Sequence, residues 1–267
     1  MQVQGPPPAA VSIQGLWKRF GRQVAVAGLT VDLPAGSFIG LVGPNGAGKT
    51  TTLAMATGLL RPDFGRVLVH GADVWQDPVA VKARIGILPE GLRMYERLSG
   101  RELLQYSGRL RGLPPAEVDR RAEDLLAVLD LTSAADKLVA DYSTGMRKKT
   151  GLAAALLHNP EVLFLDEPFE GVDPVSAEAV RGVLTRYAAS GNTVIFSSHV
   201  MELVEQLCDW VAVVNAGQVI AQGPMDAVRG GRTLHDVFLD LVGARAPVDG
   251  TALGWLGARD TAKGGTP

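Results

Sequence analysis

Cysteine is almost absent from this chain: Cys208 stands alone, so no internal disulfide can form and no second thiol sits at metal-ligand spacing. That scarcity fits a reducing compartment, with Cys208 as small core filler. Long apolar runs are missing too. Hydrophobic residues make up 46% of the chain, yet no window reaches the roughly 18 uninterrupted apolar residues of a membrane-spanning helix. The chain itself is therefore not expected to cross a membrane. Its first ten residues, MQVQGPPPAA, have neither a basic start nor an apolar stretch, so no signal peptide is expected there. Basic excess is absent as well: 26 Lys and Arg stand against 28 Asp and Glu, and the densest basic run is Arg147-Lys148-Lys149. Without a positive field, nucleic acid is not an expected partner. Internal repeats, coiled-coil heptads and an Asn-Lys-x-Asp guanine motif are not found either.

What is present centres on Gly43-Pro44-Asn45-Gly46-Ala47-Gly48-Lys49-Thr50-Thr51, which fits G-x-x-x-x-G-K-[ST]. The apolar run Ser37 to Val42 reads as a buried parallel strand, and Lys49 to Leu59 as a helix opening directly after the glycines. Such a loop can turn successive backbone N–H groups toward phosphate oxygens beside the positive end of a helix dipole. Lys49 would then reach the β- and γ-phosphates, and Thr50 would bind the Mg²⁺ bridging them. Thr51 would add a hydroxyl to the α-phosphate.

Val162-Leu163-Phe164-Leu165-Asp166-Glu167 is a second apolar run, ending in two carboxylates. In a parallel sheet, ligands bind outside the carboxyl ends of the strands, which would bring Asp166 and Glu167 to the phosphate loop. Asp166 is expected to hold Mg²⁺ through water, and Glu167 to orient or deprotonate an attacking water. Thr193 to Ser197 reads as a neighbouring strand, and His199 beyond it could donate a hydrogen bond to the γ-phosphate. His70 and His235 read as turn and cap residues. Phe20, ahead of the loop, could stack on an adenine or pack in a sheet.

The remainder suggests one α/β domain, since 267 residues can bury one full core. Val11 to Trp17 reads as an edge strand and Val24 to Leu33 as its antiparallel neighbour, forming a small sheet. Helical spacing dominates from about residue 91 to residue 159: Val118, Ala122, Leu126 and Leu129 follow Pro115 at a helical start. Trp210 to Ala221 reads as a hairpin, and Thr233 as the cap of a short helix through Val242. Residues 1–10 and 243–267 are expected to be flexible tails, with Trp255 in the second.

In order along the chain, these motifs resemble the ATP-binding subunits of ABC transporters over about residues 11–242. Gly43 to Thr51 resembles the family's Walker A loop and Val162 to Glu167 its Walker B strand. Tyr142-Ser143-Thr144-Gly145-Met146 is similar to the LSGGQ signature, and Asp166 follows Ser143 by 23 positions. Gly171-Val172-Asp173 resembles the D-loop, His199 the switch histidine and Phe20 the adenine-stacking aromatic. The resemblance implies a P-loop NTPase core, a mostly parallel sheet with flanking helices, plus a small antiparallel β subdomain and an α-helical subdomain. It implies an ATPase using ATP and Mg²⁺, with Ser143, Thr144, Gly145 and Met146 binding the ATP held by a second, identical subunit.

Three departures stand out. Glu90 occupies the Q-loop position usually held by glutamine and could still meet Mg²⁺; Thr144 and Met146 replace Gly and Gln; Phe169-Glu170 replaces a small pair. Pro89-Glu90 and the Tyr-Ser-x-Gly-Met signature are similar to bacterial exporters of the ABC-2 type, whose permease is a separate chain. That resemblance implies a cytoplasmic subunit, peripheral on the inner face of the cell membrane through an integral membrane permease. The competing expectations are a soluble ABC-type ATPase of an assembly or regulatory complex, and a nucleotide-gated module that does not turn over.

Overall fold

Short apolar runs that alternate nothing polar into their middles become strands buried on both faces, and they form a six-stranded sheet in the computed structural model, which describes residues 8–243. The strands are β1 (Ala9–Phe20), β2 (Gln23–Pro34), β3 (Phe38–Val42), β4 (Phe64–Val69), β5 (Ala72–Asp73), β6 (Ile85–Leu88), β7 (Val162–Asp166), β8 (Thr193–Ser198), β9 (Trp210–Asn215) and β10 (Gln218–Pro224). The helices are α1 (Lys49–Ala56), α2 (Pro78–Arg84), α3 (Gly100–Leu110), α4 (Pro115–Val128), α5 (Thr144–Leu156), α6 (Pro174–Ala189), α7 (Met201–Leu207), α8 (Met225–Arg229) and α9 (Leu234–Leu241).

The larger sheet runs β10-β9-β3-β8-β7-β6, parallel except for β10; the smaller, antiparallel one runs β2-β1-β4-β5. Because side chains alternate along a strand, each central strand feeds two cores. Leu163, Leu165, Val194 and Phe196 pack with α5 and α6, whereas Val162, Phe164 and Ile195 pack with α1 and the smaller sheet. Phe196 meets Phe38 and Phe169 edge-on, at centroid distances of 5.6 and 6.0 Å. The parallel register pairs Val42 with Ser198 and Asp166 with Ser197, so three strands end side by side.

Two expectations change at the chain's start. The strand begins at Ala9, not Val11, and Ala10 is fully buried, so residues 9 and 10 are not tail. It is also an interior strand, because β4 pairs along its second side with Val69 opposite Val11. Residues 1–7 and 244–267, Trp255 among them, lie outside the described residues. Helix α2 went unread in the sequence, although Asp77 caps it at Ala80 N and Pro78 opens it.

Between β6 and β7 the chain is helical, and α3, α4 and α5 pack together around Leu104, Leu126, Leu129 and Leu152. Ser99 and Glu102 form a reciprocal cap on α3. Two glycines set how closely helices approach the sheet. A Cβ at Gly86 would lie 2.3 Å from the Ala155 carbonyl oxygen, and one at Gly40 would lie 2.3 Å from Val204 Cγ1. These contacts seat α5 and α7 directly on β6 and β3.

Under this floor His158 is half-buried. Its Nε2 lies 2.9 Å from both Arg111 Nη1 and the Ile85 carbonyl. Burial first, and the Arg111 guanidinium second, push its pKa down to about 4.

Two stability measurements check this packing. Gly86→Ala forces the α5 backbone off β6 and is expected to cost about 1–3 kcal/mol in urea unfolding. His158 protonates more readily when unfolded than when folded, so stability should fall as pH drops from about 6.5 toward 4 and then level off. Partial solvent screening limits that effect to about 1–2 kcal/mol. His158→Gln should remove this pH window; an unchanged window would assign it to another group.

Candidate active site

The loop from Gly43 to Gly48 follows β3 and opens α1, and its backbone leaves no room for side chains at key points. A Cβ at Gly43 would lie 2.1 Å from the Val214 carbonyl oxygen; one at Gly48, where φ is +102°, would lie 2.5 Å from that of Ala25. Only glycine satisfies both the angle and the gap at Gly48. Lys49 is 6% exposed and folds back over its own loop, donating to the carbonyls of Gly43 at 2.8 Å and Pro44 at 3.3 Å. Its ammonium is thus held over the loop before any anion arrives.

Beside it, β7 ends in Asp166, which is 6% exposed. Thr50 Oγ1 lies 3.2 Å from Asp166 Oδ1 and 3.1 Å from Glu90 Oε2. Ser197, across the register on β8, donates to Asp166 Oδ1 at 2.5 Å and accepts the Glu167 N–H at 2.9 Å. One hydroxyl therefore orients the first carboxylate and anchors the backbone of the second. Glu167 Oε1 lies 3.1 Å from His199 Nδ1 and 3.8 Å from Lys49 Nζ.

The oxygens of Thr50, Asp166 and Glu90 form a hard donor set. Among the described residues no three His, Cys, Asp or Glu side chains form a cage for a metal. Mg²⁺ needs no such cage, because it takes one or two carboxylates and completes its shell with water and phosphate oxygens. The residues present fit that ion.

Lys49, Thr50, Glu90, Glu167 and His199 open into one cleft of about 360 Å³, lined also by Phe20, Gln23, Ala25, the rest of Asn45 to Thr51, and Glu170. Phe20 closes β1 and is 51% exposed there, with Lys18 Nζ 5.8 Å from its ring centroid. Of its two readings, sheet packing is the one the geometry disfavours.

The signature residues do not line this cleft. Ser143 caps α5, its hydroxyl accepting from Met146 N at 3.2 Å, and the Ser143 and Thr144 side chains are exposed. Met146 turns inward instead, against Leu103 and Tyr142. Gly145 faces the D-loop, where a Cβ would lie 3.6 Å from Asp173 Oδ2. Asp173 caps α6 at Val175 N and Ser176 N, and its hydrogen bonds from Ser176 hold its carboxyl below the ordinary value.

Ser197 and Lys148 are site residues that the sequence does not announce, and Glu170, which the sequence marks only as a departure from the family pattern, lines the cleft. Ser197 carried a signal, since Ser197-Ser198 are hydroxyls at the end of an apolar strand. Lys148 was hidden in the basic run, yet its Nζ donates to the Glu167 carbonyl at 2.6 Å.

Comparison with known proteins agrees with this geometry. The family pattern described as ABC transporter matches residues 26–170, more than half of the chain. A daunorubicin resistance ATP-binding protein of Streptomyces coeruleorubidus is 41% identical over 220 residues, covering 82% of this chain and 70% of its own. The Nod factor export ATP-binding protein I of Ralstonia nicotianae is 36% identical over 276 residues, covering 100% and 84%. A solved ATP-binding subunit of an ABC transporter superposes with a TM-score of 0.81 at 28% identity, over 87% of this chain and 99% of that one. With its phosphate loop, paired carboxylates and cleft, the chain belongs to the ABC transporter family and is an ATP-binding, ATP-hydrolysing component of it.

Proposed function

We propose that two copies of this chain close head to tail around two ATPs and drive an exporter whose permease is a separate membrane protein. The observation that carries the reading is the division of the motifs: Lys49, Thr50, Asp166, Glu167 and His199 converge at one set of strand ends. The exposed N-cap of α5 lies outside that cleft, free to face another molecule.

Within each cleft Phe20 stacks on the adenine, and the backbone from Gly43 to Thr51, with Pro44, Asn45 and Ala47 shaping its turn, wraps the phosphates. Lys49 exchanges its carbonyl partners for β- and γ-phosphate oxygens. Thr50, Asp166 and Glu90 would hold Mg²⁺, partly through water, and the ion would supply neutralising charge for the phosphate oxygens. Glu167 accepts a proton from the water that attacks the γ-phosphorus, as the bond from that phosphorus to the β-phosphate oxygen breaks. His199, 3.1 Å from Glu167 Oε1, holds that carboxylate and donates to the γ-phosphate. Ser143, Thr144, Gly145 and the Met146 backbone complete the partner copy's cleft as a second helix start, with Asp173 setting the contact between them.

The export direction rests on relatives named for drug resistance and for Nod factor export. No helix among the described residues is long and apolar enough to span a membrane. In this reading a separate permease supplies the membrane path, and this subunit sits on the cytoplasmic face.

Glu167→Gln is expected to lower ATP turnover by roughly 10²- to 10⁴-fold while leaving ATP affinity within a few-fold. ATP should then trap that variant as a species of doubled mass in size-exclusion chromatography with light scattering. Normal turnover would remove Glu167 from its role, and a monomer with ATP bound would remove the head-to-tail pair. Affinity purification from gently solubilised native membranes should bring along a protein with several membrane-spanning segments. Soluble partners alone, under conditions that retain a control transporter, would point instead to an assembly ATPase.

A further inference from the structure

Glu167 holds an unusual backbone position: its φ is +46°, in the left-handed region that a glutamate adopts only when neighbours enforce it. Its N–H is taken by Ser197 of β8 at 2.9 Å. Its carbonyl accepts the Glu170 N–H at 3.2 Å, closing a turn through Pro168, and also accepts Lys148 Nζ at 2.6 Å. Lys148 reaches this carbonyl from α5, the helix whose N-cap is Ser143. The turn bond alone would leave the peptide free to rotate with its loop; the ammonium fixes it from a second element.

We propose that Lys148 is a positioning residue for hydrolysis: it clamps the Glu167 carbonyl and so aims the Glu167 carboxylate, tying it to the helix that carries the signature. The inference rests on the reading of Glu167 as the general base. The charges around Lys148 support it. Burial lowers its pKa, while Glu170, Glu167, Asp166 and Glu90 oppose that shift, so the ammonium lies within the electrostatic field of those carboxylates. A charged donor to a carbonyl makes a stronger hydrogen bond than a neutral one. Lys148 also offsets the mutual repulsion of those carboxylates. If it were lost, Glu167 could relax out of the left-handed region and its side chain would swing from its place between Lys49 and His199.

The test is steady-state ATP hydrolysis by the purified chain carrying Lys148→Met, Lys148→Arg, Glu167→Gln, or Lys148→Met with Glu167→Gln, alongside thermal melts. Lys148→Met is expected to lower kcat about tenfold with the KM for ATP within about twofold. Lys148→Arg, which keeps a charged donor, should recover most of that loss. On the Glu167→Gln background, Lys148→Met should remove no further activity, because the group it positions is already gone. An inactive Glu167→Gln beside a Lys148→Met of normal kcat would overturn this proposal alone. Turnover that survives Glu167→Gln would overturn the catalytic reading of Glu167 and, with it, this one. Equal slowing by Met and Arg, accompanied by a lower melting temperature or a raised KM, would make Lys148 a packing residue and overturn the proposal too.

Discussion

The hydrogen-bond chain from Thr50 through Asp166 to Ser197 is the constraint on which the site depends. It spans the start of α1 and the ends of β7 and β8, three elements distant in sequence, and it requires the parallel register that sets Asp166 beside Ser197. That register is enforced by cores on both faces of the sheet, since a slip of one residue would turn Leu163 and Leu165 away from their helices. Burial of apolar side chains therefore does chemical work at a distance: it fixes where the carboxylates end. The glycines at positions 40 and 86 extend the same logic by letting α7 and α5 sit directly on the strands.

Electrostatically the cleft is a set of opposed charges kept short of neutralising one another. Lys49 is held by two backbone carbonyls at hydrogen-bond distance but stands 3.8 Å from Glu167, too far for a tight pair. A carbonyl is a weaker competitor for an ammonium than a carboxylate or a phosphate. An arriving phosphate can therefore take over Lys49 without first breaking a strong ion pair. Glu90 works the other way, adding a carboxylate beside Asp166 where a neutral amide would leave the local charge lower. A divalent cation held there would relieve that repulsion, and would link cation and nucleotide binding more tightly than glutamine at position 90 would.

Much of this was legible in the sequence because its signals are local. A glycine loop between an apolar strand and a helix, an apolar run ending in Asp166-Glu167, and a cap residue at Ser143 each declare their structure within ten residues or so. What escaped depends on long-range juxtaposition. The interior place of β1 follows from its pairing with β4, some fifty residues on. Phe20 was ambiguous because only the folded sheet leaves it half exposed at the cleft mouth. Ser197 and Lys148 lie thirty and nineteen positions from Glu167, on other elements, and nothing in either one's neighbourhood points to a glutamate. The inward turn of Met146 was equally hidden, since a helix start read from sequence does not say which side chain faces solvent.

The folded chain also explains why its parts are divided as they are. Ser143 and Thr144 present an exposed helix start beside the D-loop, while the cleft at the phosphate loop lies elsewhere on the same molecule. A helix N-terminus favours an anion only within its first turn, so this one cannot serve the chain's own phosphate loop from where it stands. Yet α5 is physically joined to the chain's own Glu167 through Lys148. The helix thus has one end exposed to solvent and one side chain on the turn that carries Glu167. If that exposed end meets another molecule as proposed, a pull on it would reach the Glu167 turn both through the packing of α5 on β7 and through the ammonium–carbonyl contact of Lys148, and only the second can be broken or remade without disturbing a core.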